Sequence, residues 1–73
     1  MIKQNNLTQI RQSLKNSLLA LSVNSSVSTA TIVGIEKYRY YPGAGVRERL
    51  SKALGVSETE IWPNKEEVVN DGK

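Results

Sequence analysis

Residues 27–42 read VSTATIVGIEKYRYYP, and how this stretch folds decides how the rest of the chain is read. Ser28 suits a helix N-cap, because its short side-chain oxygen can accept one of the backbone N–H groups that a first turn leaves without a partner. Ile32 and Ile35 then fall three residues apart on one face. The stretch therefore predicts a short helix over residues 28–36. Lys37 and Arg39, interleaved with Tyr38, Tyr40 and Tyr41, form a basic aromatic loop after it, and Pro42 opposes a further helical turn. Such a loop suits a phosphate backbone, since cations pair with phosphate oxygens while tyrosines donate hydrogen bonds and lie against sugars. An ordinary core helix followed by a solvated loop would have the same pattern, so the flanking sequence has to decide.

Upstream, Leu7, Ile10 and Leu14 recur at spacings of three and four, which predicts a first helix from Asn5 or Asn6 with Gln9, Gln12, Ser13 and Lys15 outside the stripe. Arg11 sits beside the stripe, placed to reach inward to an acid. Asn16 and Ser17 are cap residues for a second helix over residues 18–23, with Leu18, Leu19 and Leu21 as its apolar surface. The polar run after it permits a plain loop, but a tight turn over residues 24–26 makes Val27 an anchor and leaves Ser28 as the next cap.

Downstream, the GAG of residues 43–45 starts a helix with the stripe Val46, Leu50, Ala53 and Leu54. Arg47, Glu48, Arg49, Ser51 and Lys52 are expected to face water, Gly55 suits the position past the C-terminus, and Val56 is a following anchor. Ser57 caps a last turn whose Glu58 and Glu60 sit where the helix dipole favours acids, with Ile61 and Trp62 inside and Pro63 as the stop. The expected fold class is all-α, a compact bundle of five short helices in residues 1–63, with residues 64–73 as an acidic, disordered tail.

Seventy-three residues make one domain, near the size at which a single core is marginal without a metal, a disulfide or a partner subunit. The chain has no Cys and no His, which excludes disulfides, thiolate nucleophiles, the usual zinc sites and imidazole-based catalysis. Its seven acids are dispersed, and the GAG lacks the strand and following pattern of a phosphate-binding fingerprint, so the residues do not describe an enzyme. No cofactor, metal or small-molecule ligand is expected. With no Phe the core must be aliphatic, and a second copy of the chain is the expected source of further burial. No run approaches the roughly 20 apolar residues of a membrane span. The first residues, MIKQNNLTQ, lack the apolar segment of a signal peptide, and a cytoplasmic location is expected.

The net charge of +3 hides an asymmetry. Residues 1–55 carry eight cations against two acids, +6, and residues 56–73 carry two against five, −3. A basic body favours a polyanionic partner.

Taken together, these blocks resemble the Cro/repressor (XRE) helix-turn-helix family, whose domains have a lambda-repressor-like fold. IRQSL at residues 10–14 is similar to the family's first helix; VSTATIVGIE at 27–36 is similar to its V-S-x-x-T-I-x-x-I-E recognition helix. Pro42 matches its proline after the basic loop, and LSKALGVSETEIW at 50–62 resembles its L-x-x-A-L-G-V-x-x-x-x-I-[FW] ending. The resemblance covers residues 6–62. It implies a sequence-specific double-stranded DNA-binding transcriptional regulator, a repressor or autoregulator, that docks helix 28–36 in the major groove as a homodimer on a palindromic site. It places Ser28, Thr29, Ala30, Thr31 and Val33 facing bases. It places Asn16 and Ser17 at the start of helix two, and Lys37, Tyr38, Arg39 and Tyr40 in the loop, on phosphates. It further implies a structural ion pair between Arg11 and Glu36. Ile61 and Trp62, read above as core, are also the candidates for a dimer interface. When bound to DNA such a protein is nucleoid-associated.

Several positions depart from the family pattern. Leu18 stands where the family has a glutamine that braces a phosphate contact, Ser22 replaces a small alanine, and Ser26 replaces the glycine of the turn. A non-glycine residue adopts the left-handed conformation only at a cost, so Asn24 is the expected residue for it. The reading surface of Ser28, Thr29, Ala30, Thr31, Val33 and Gly34 contains no Arg, Lys, Gln or Asn, the side chains that make paired hydrogen bonds to base edges. Specificity would then rest on methyl contacts to thymine, hydroxyls, DNA shape or the neighbouring loop. The alternative expectation is a protein-interaction module on the same fold, an antitoxin-like or adaptor subunit with little base reading, for which the bland helix, Trp62 and the acidic tail speak.

Overall fold

The computed structural model describes residues 5–63, and in them five helices: α1 (Leu7–Ser13), α2 (Leu18–Ser25), α3 (Thr29–Tyr38), α4 (Ala44–Leu54) and α5 (Glu58–Ile61). The fold of the described residues is all-α. Three of the starts are set by serines. Ser17 Oγ accepts the Ala20 N–H at 3.0 Å, Ser28 Oγ the Thr31 N–H at 3.1 Å, and Ser57 Oγ the Glu60 N–H at 3.3 Å. Each bond satisfies one of the donors that a helix start leaves open, a contribution of about 1 kcal/mol. No single helix among the described residues is long and apolar enough to cross a membrane.

All five helices feed one core. Leu7 from α1, Leu21 from α2, Ile32 and Ile35 from α3, Leu50 from α4, Ile61 from α5 and the following Trp62 are wholly buried, with Val27 and Leu54 nearly so. Each large aliphatic side chain buried this way stabilises the fold by roughly 1.5–3 kcal/mol. Helix α2 packs chiefly against α4 and α3. The one aromatic centre is Trp62, with the Tyr41 ring edge-on to it at 6.0 Å and 83°. Arg47 closes that corner: its guanidinium lies 4.7 Å from the centre of the Tyr41 ring, donates to Pro42 O at 2.7 Å and pairs with Glu58 at 3.3 Å. The chain's entry into α1 is tied down as well. Asn5 Nδ2 donates to Ile35 O at 2.9 Å, Asn6 Nδ2 to Glu60 O at 3.0 Å, and Asn6 N to Ile61 O at 2.8 Å. Two asparagines thus join α1 to α3 and α5.

The observed helices differ from the expected ones at several ends, each for a local reason. Helix α2 continues to Ser25, because the Ser25 hydroxyl donates to Leu21 O at 2.7 Å and can be buried inside its own helix. Ser26, and not Asn24, takes the left-handed conformation, at φ 60°. Helix α3 runs from Thr29 to Tyr38, so Lys37 and Tyr38 stand on its last turn, and Arg39, Tyr40 and Tyr41 belong to the loop. Arg39 ends the helix at φ 58°, with its own N–H and that of Tyr40 both directed to Gly34 O. Two residues of α4 expected to face water do not. Ser51 is buried with its hydroxyl on Glu48 O at 3.0 Å, and Arg47 is half-buried in the corner just described.

Ile61 and Trp62 are corrected too. Both have 0% of their surface exposed within a single chain, so neither side chain offers a face to a second copy. Residues 1–4 and the proposed acidic tail, 64–73, lie outside the described residues.

Candidate nucleic-acid interface

Residues 26–28 join α2 to α3, and the chain bends by 119° between the two helix axes. Three residues suffice for so sharp a bend because Ser26 supplies the left-handed step, Val27 plugs into the core, and the buried Ser25 Oγ accepts the Val27 N–H at 3.3 Å. Helix α3 is thereby held by one face only. With about 100° of rotation per residue, the side opposite Ile32 and Ile35 carries Ala30, Val33 and Lys37, with Gly34 at its border. Thr29 flanks this face on one side, Thr31 and Tyr38 on the other. Ser28, Thr29 and Ala30 are exposed, whereas Thr31 and Val33 are half-buried. The Ser28 hydroxyl also donates to Thr31 Oγ1 at 2.9 Å, so two of the hydroxyls on this end of the helix already engage each other.

The cations behave in two ways. Arg11, Arg47 and Lys52 are in ion pairs within the fold. Among the described residues Lys15, Lys37, Arg39 and Arg49 are in no such pair and all four are exposed; Lys37 and Arg39 stand together at the end of α3 and just beyond it. Tyr38 and Tyr40 beside them are 75% and 55% exposed. An exposed cation between two exposed phenols keeps its full charge for an outside anion, and the phenols add hydrogen-bond donors next to it.

Arg11 and Glu36 tie the start of α2 to this same end of α3. Arg11 Nε and Nη2 donate to the two Glu36 oxygens at 2.7 and 3.1 Å, and Nη1 donates to Asn16 O at 3.0 Å. One guanidinium therefore ties the loop before α2 to the last turns of α3. Its hydrogen bonds to the Glu36 carboxylate raise the Arg11 pKa, against the opposing effect of burial, so it stays charged at any pH at which the protein is used. Asn16 is half-buried in this clamp with its carbonyl engaged, Ser17 is exposed with its hydroxyl committed to the α2 cap, and Lys15 next to them is exposed at φ 58°. The proposed phosphate set of Asn16, Ser17, Lys37, Tyr38, Arg39 and Tyr40 thus lies toward one end of α3, while the proposed base-facing set follows the helix away from it.

Lys37, which the resemblance placed in the loop on phosphates, stands instead on α3 and shares its outward face with Ala30 and Val33; continuing the helical count past Glu36 gives that placement, and one further exposed cation, Lys15, belongs to no motif. Lys15 precedes the α2 cap, and its charge was the available signal. Neither the models of known protein families nor the curated proteins include a match to this chain.

Proposed function

We propose that this chain is a double-stranded DNA-binding transcriptional regulator of helix-turn-helix type, a repressor or autoregulator acting in the cytoplasm on nucleoid DNA. In this reading α2 crosses the phosphate backbone and α3 enters the major groove. The observation that carries it is the outward face of α3. That face lies opposite the buried Ile32 and Ile35, with Ala30 and Lys37 exposed and Val33 half-buried, carries only small and hydroxyl-bearing side chains along most of its length, and runs into cations that no acid of the described fold pairs with. The 119° bend over a three-residue turn supports the same reading, as does the +6 charge of residues 1–55. Two-fold pairing on a palindromic site completes the proposal, on the grounds that so small a core gains from a second copy.

Fluorescence anisotropy with a random-sequence duplex, repeated at two salt concentrations, tests it. Phosphate pairing by Arg39 from two subunits would alone give log K against log salt a slope of about −2. Binding with at least that slope supports the proposal, and absence of binding at low salt rejects it.

A second reading has one observation of its own. Leu19 and Val23, one turn apart on the outward side of α2, are 66% and 69% exposed. A protein-interaction module would use such an apolar strip, and it predicts no duplex binding at low salt.

A further inference from the structure

Gly34 stands in the interior of α3, where glycine disfavours the helix by roughly 1 kcal/mol relative to alanine. The fold does not require it. A Cβ added at Gly34 would meet only Tyr40 Cβ, at 3.9 Å, an ordinary contact, and φ there is not positive. The cost is therefore unforced by packing or by backbone geometry. Its neighbours on the outward face, Ala30 and Val33, are short as well, and Lys37 is the one long polar side chain on that face. A helix approaches a surface as closely as the side chains between them allow, and a glycine lets the backbone itself come near. Ala30 and Lys37 are seven residues apart, about 10 Å along the axis at 1.5 Å per residue, which corresponds to about three base-pair steps of 3.4 Å.

Resting on the reading of α3 as a major-groove helix, we infer that Lys37 is a base-reading residue that selects guanine in each half-site, and that Gly34 seats the helix deeply enough for it to do so. The Lys37 ammonium donates to guanine O6 and N7, the paired acceptors that only a G·C pair presents together in the major groove. Ala30 and Val33, nearer the start of the helix, lie against thymine methyl groups, the contact apolar side chains make there. The half-site then contains a guanine about three steps from a thymine. Arg39, past the left-handed turn, keeps the phosphate.

Sequencing of the duplexes bound from a random pool, for the wild type and for Lys37→Ala and Gly34→Ala, tests this. The wild type is expected to enrich a guanine about three steps from a thymine in each half-site. Lys37→Ala should lose that guanine preference, a change of about 5- to 100-fold in the discrimination at one position, while preferences at the other positions and the salt slope stay close to the wild type. A uniform loss at every position, with a salt slope shallower by about one per subunit, would make Lys37 a phosphate contact and overturn the inference. Gly34→Ala should raise the melting temperature and lower affinity for the enriched site by about tenfold, a combination that loss of folding cannot produce. A more stable variant with unchanged affinity would overturn the close approach. If the wild type binds duplexes without enriching any sequence, base reading fails while DNA binding stands; if it binds none, the reading of α3 fails with it.

Discussion

Arg11 of α1 holds Glu36 of α3 with two hydrogen bonds at 2.7 and 3.1 Å, and uses its remaining Nη to hold Asn16 O at 3.0 Å. The two side chains are only 14% and 8% exposed. Such a fork is worth more than a surface pair because both charges are largely withdrawn from water and satisfied by directed bonds. Glu36→Ala would leave the guanidinium without its counter-charge and is expected to destabilise the fold by about 2–3 kcal/mol, or some 10 °C in melting temperature for a domain of this size. Thermal unfolding followed by circular dichroism measures this. Because the Arg11 pKa is raised in the folded state, its contribution is fully present below the ordinary arginine pKa and fades only as pH rises through the raised value. The wild-type clamp therefore gives no arginine-linked fall in stability between neutral pH and pH ~10.

The α2–α3 turn makes the opposite kind of prediction. Ser26 sits at φ 60° where glycine would sit without strain. Ser26→Gly is expected to stabilise the domain by about 0.5–1 kcal/mol, a rise of several degrees in melting temperature. Gly55, at φ 71° after α4, should behave in reverse, with Gly55→Ala costing about 1 kcal/mol. Equal responses at the two sites would show that the left-handed conformation does not dominate there.

Arg39 is predicted to act on binding alone. Arg39→Ala should weaken association with every duplex by a similar factor and reduce the salt slope by about one per subunit, without altering the preferred sequence. Thr29→Arg, on the exposed first turn of α3, should instead change which sequences are preferred. Anisotropy over a salt series for the first, and sequencing of the bound fraction for the second, separate backbone pairing from base reading.

Arg47 and Lys52 sit on the same helix and should differ in consequence. Arg47→Ala removes the contact on Tyr41, the bond to Pro42 O and the pair with Glu58 at once, and is expected to cost about 2 kcal/mol. The Lys52–Glu48 pair, at 3.2 Å, is exposed on both sides, and Lys52→Ala should change stability by no more than about 0.5 kcal/mol. Chemical denaturation of the two variants checks the contrast.

These contacts also mark what could be read along the chain and what could not. The stripe Val46, Leu50, Ala53 and Leu54 with Gly55 behind it places α4 without ambiguity, since periodicity and a glycine stop agree. Ser17, Ser28 and Ser57 do the same for three helix starts, because a cap is a local bond between near neighbours in sequence. The ends were harder. Ser26 and Arg39 adopt a conformation that glycine prefers, and nothing in a serine or an arginine announces it. Ser25 reads as part of a polar turn and Ser51 as polar surface because their partners, Leu21 O and Glu48 O, are backbone groups of their own helices. The asparagine ties from residues 5 and 6 join positions 30 and 54 residues away, a relationship that exists only after folding. In the candidate interface, small side chains along α3 and cations after it were visible in order. The placing of Lys37 on the outward face depended on two extra helical residues.

The most direct test of the account is a titration of isotope-labelled protein with duplex carrying an enriched site, followed through the backbone amide resonances. The account predicts that the largest shifts fall on Thr29, Ala30, Val33, Gly34 and Lys37 and on the Arg39–Tyr40 segment, with the core resonances of Leu50 and Leu54 little changed. Shifts confined to Leu19, Val23 and the rest of α2, or none at all at low salt, would contradict it.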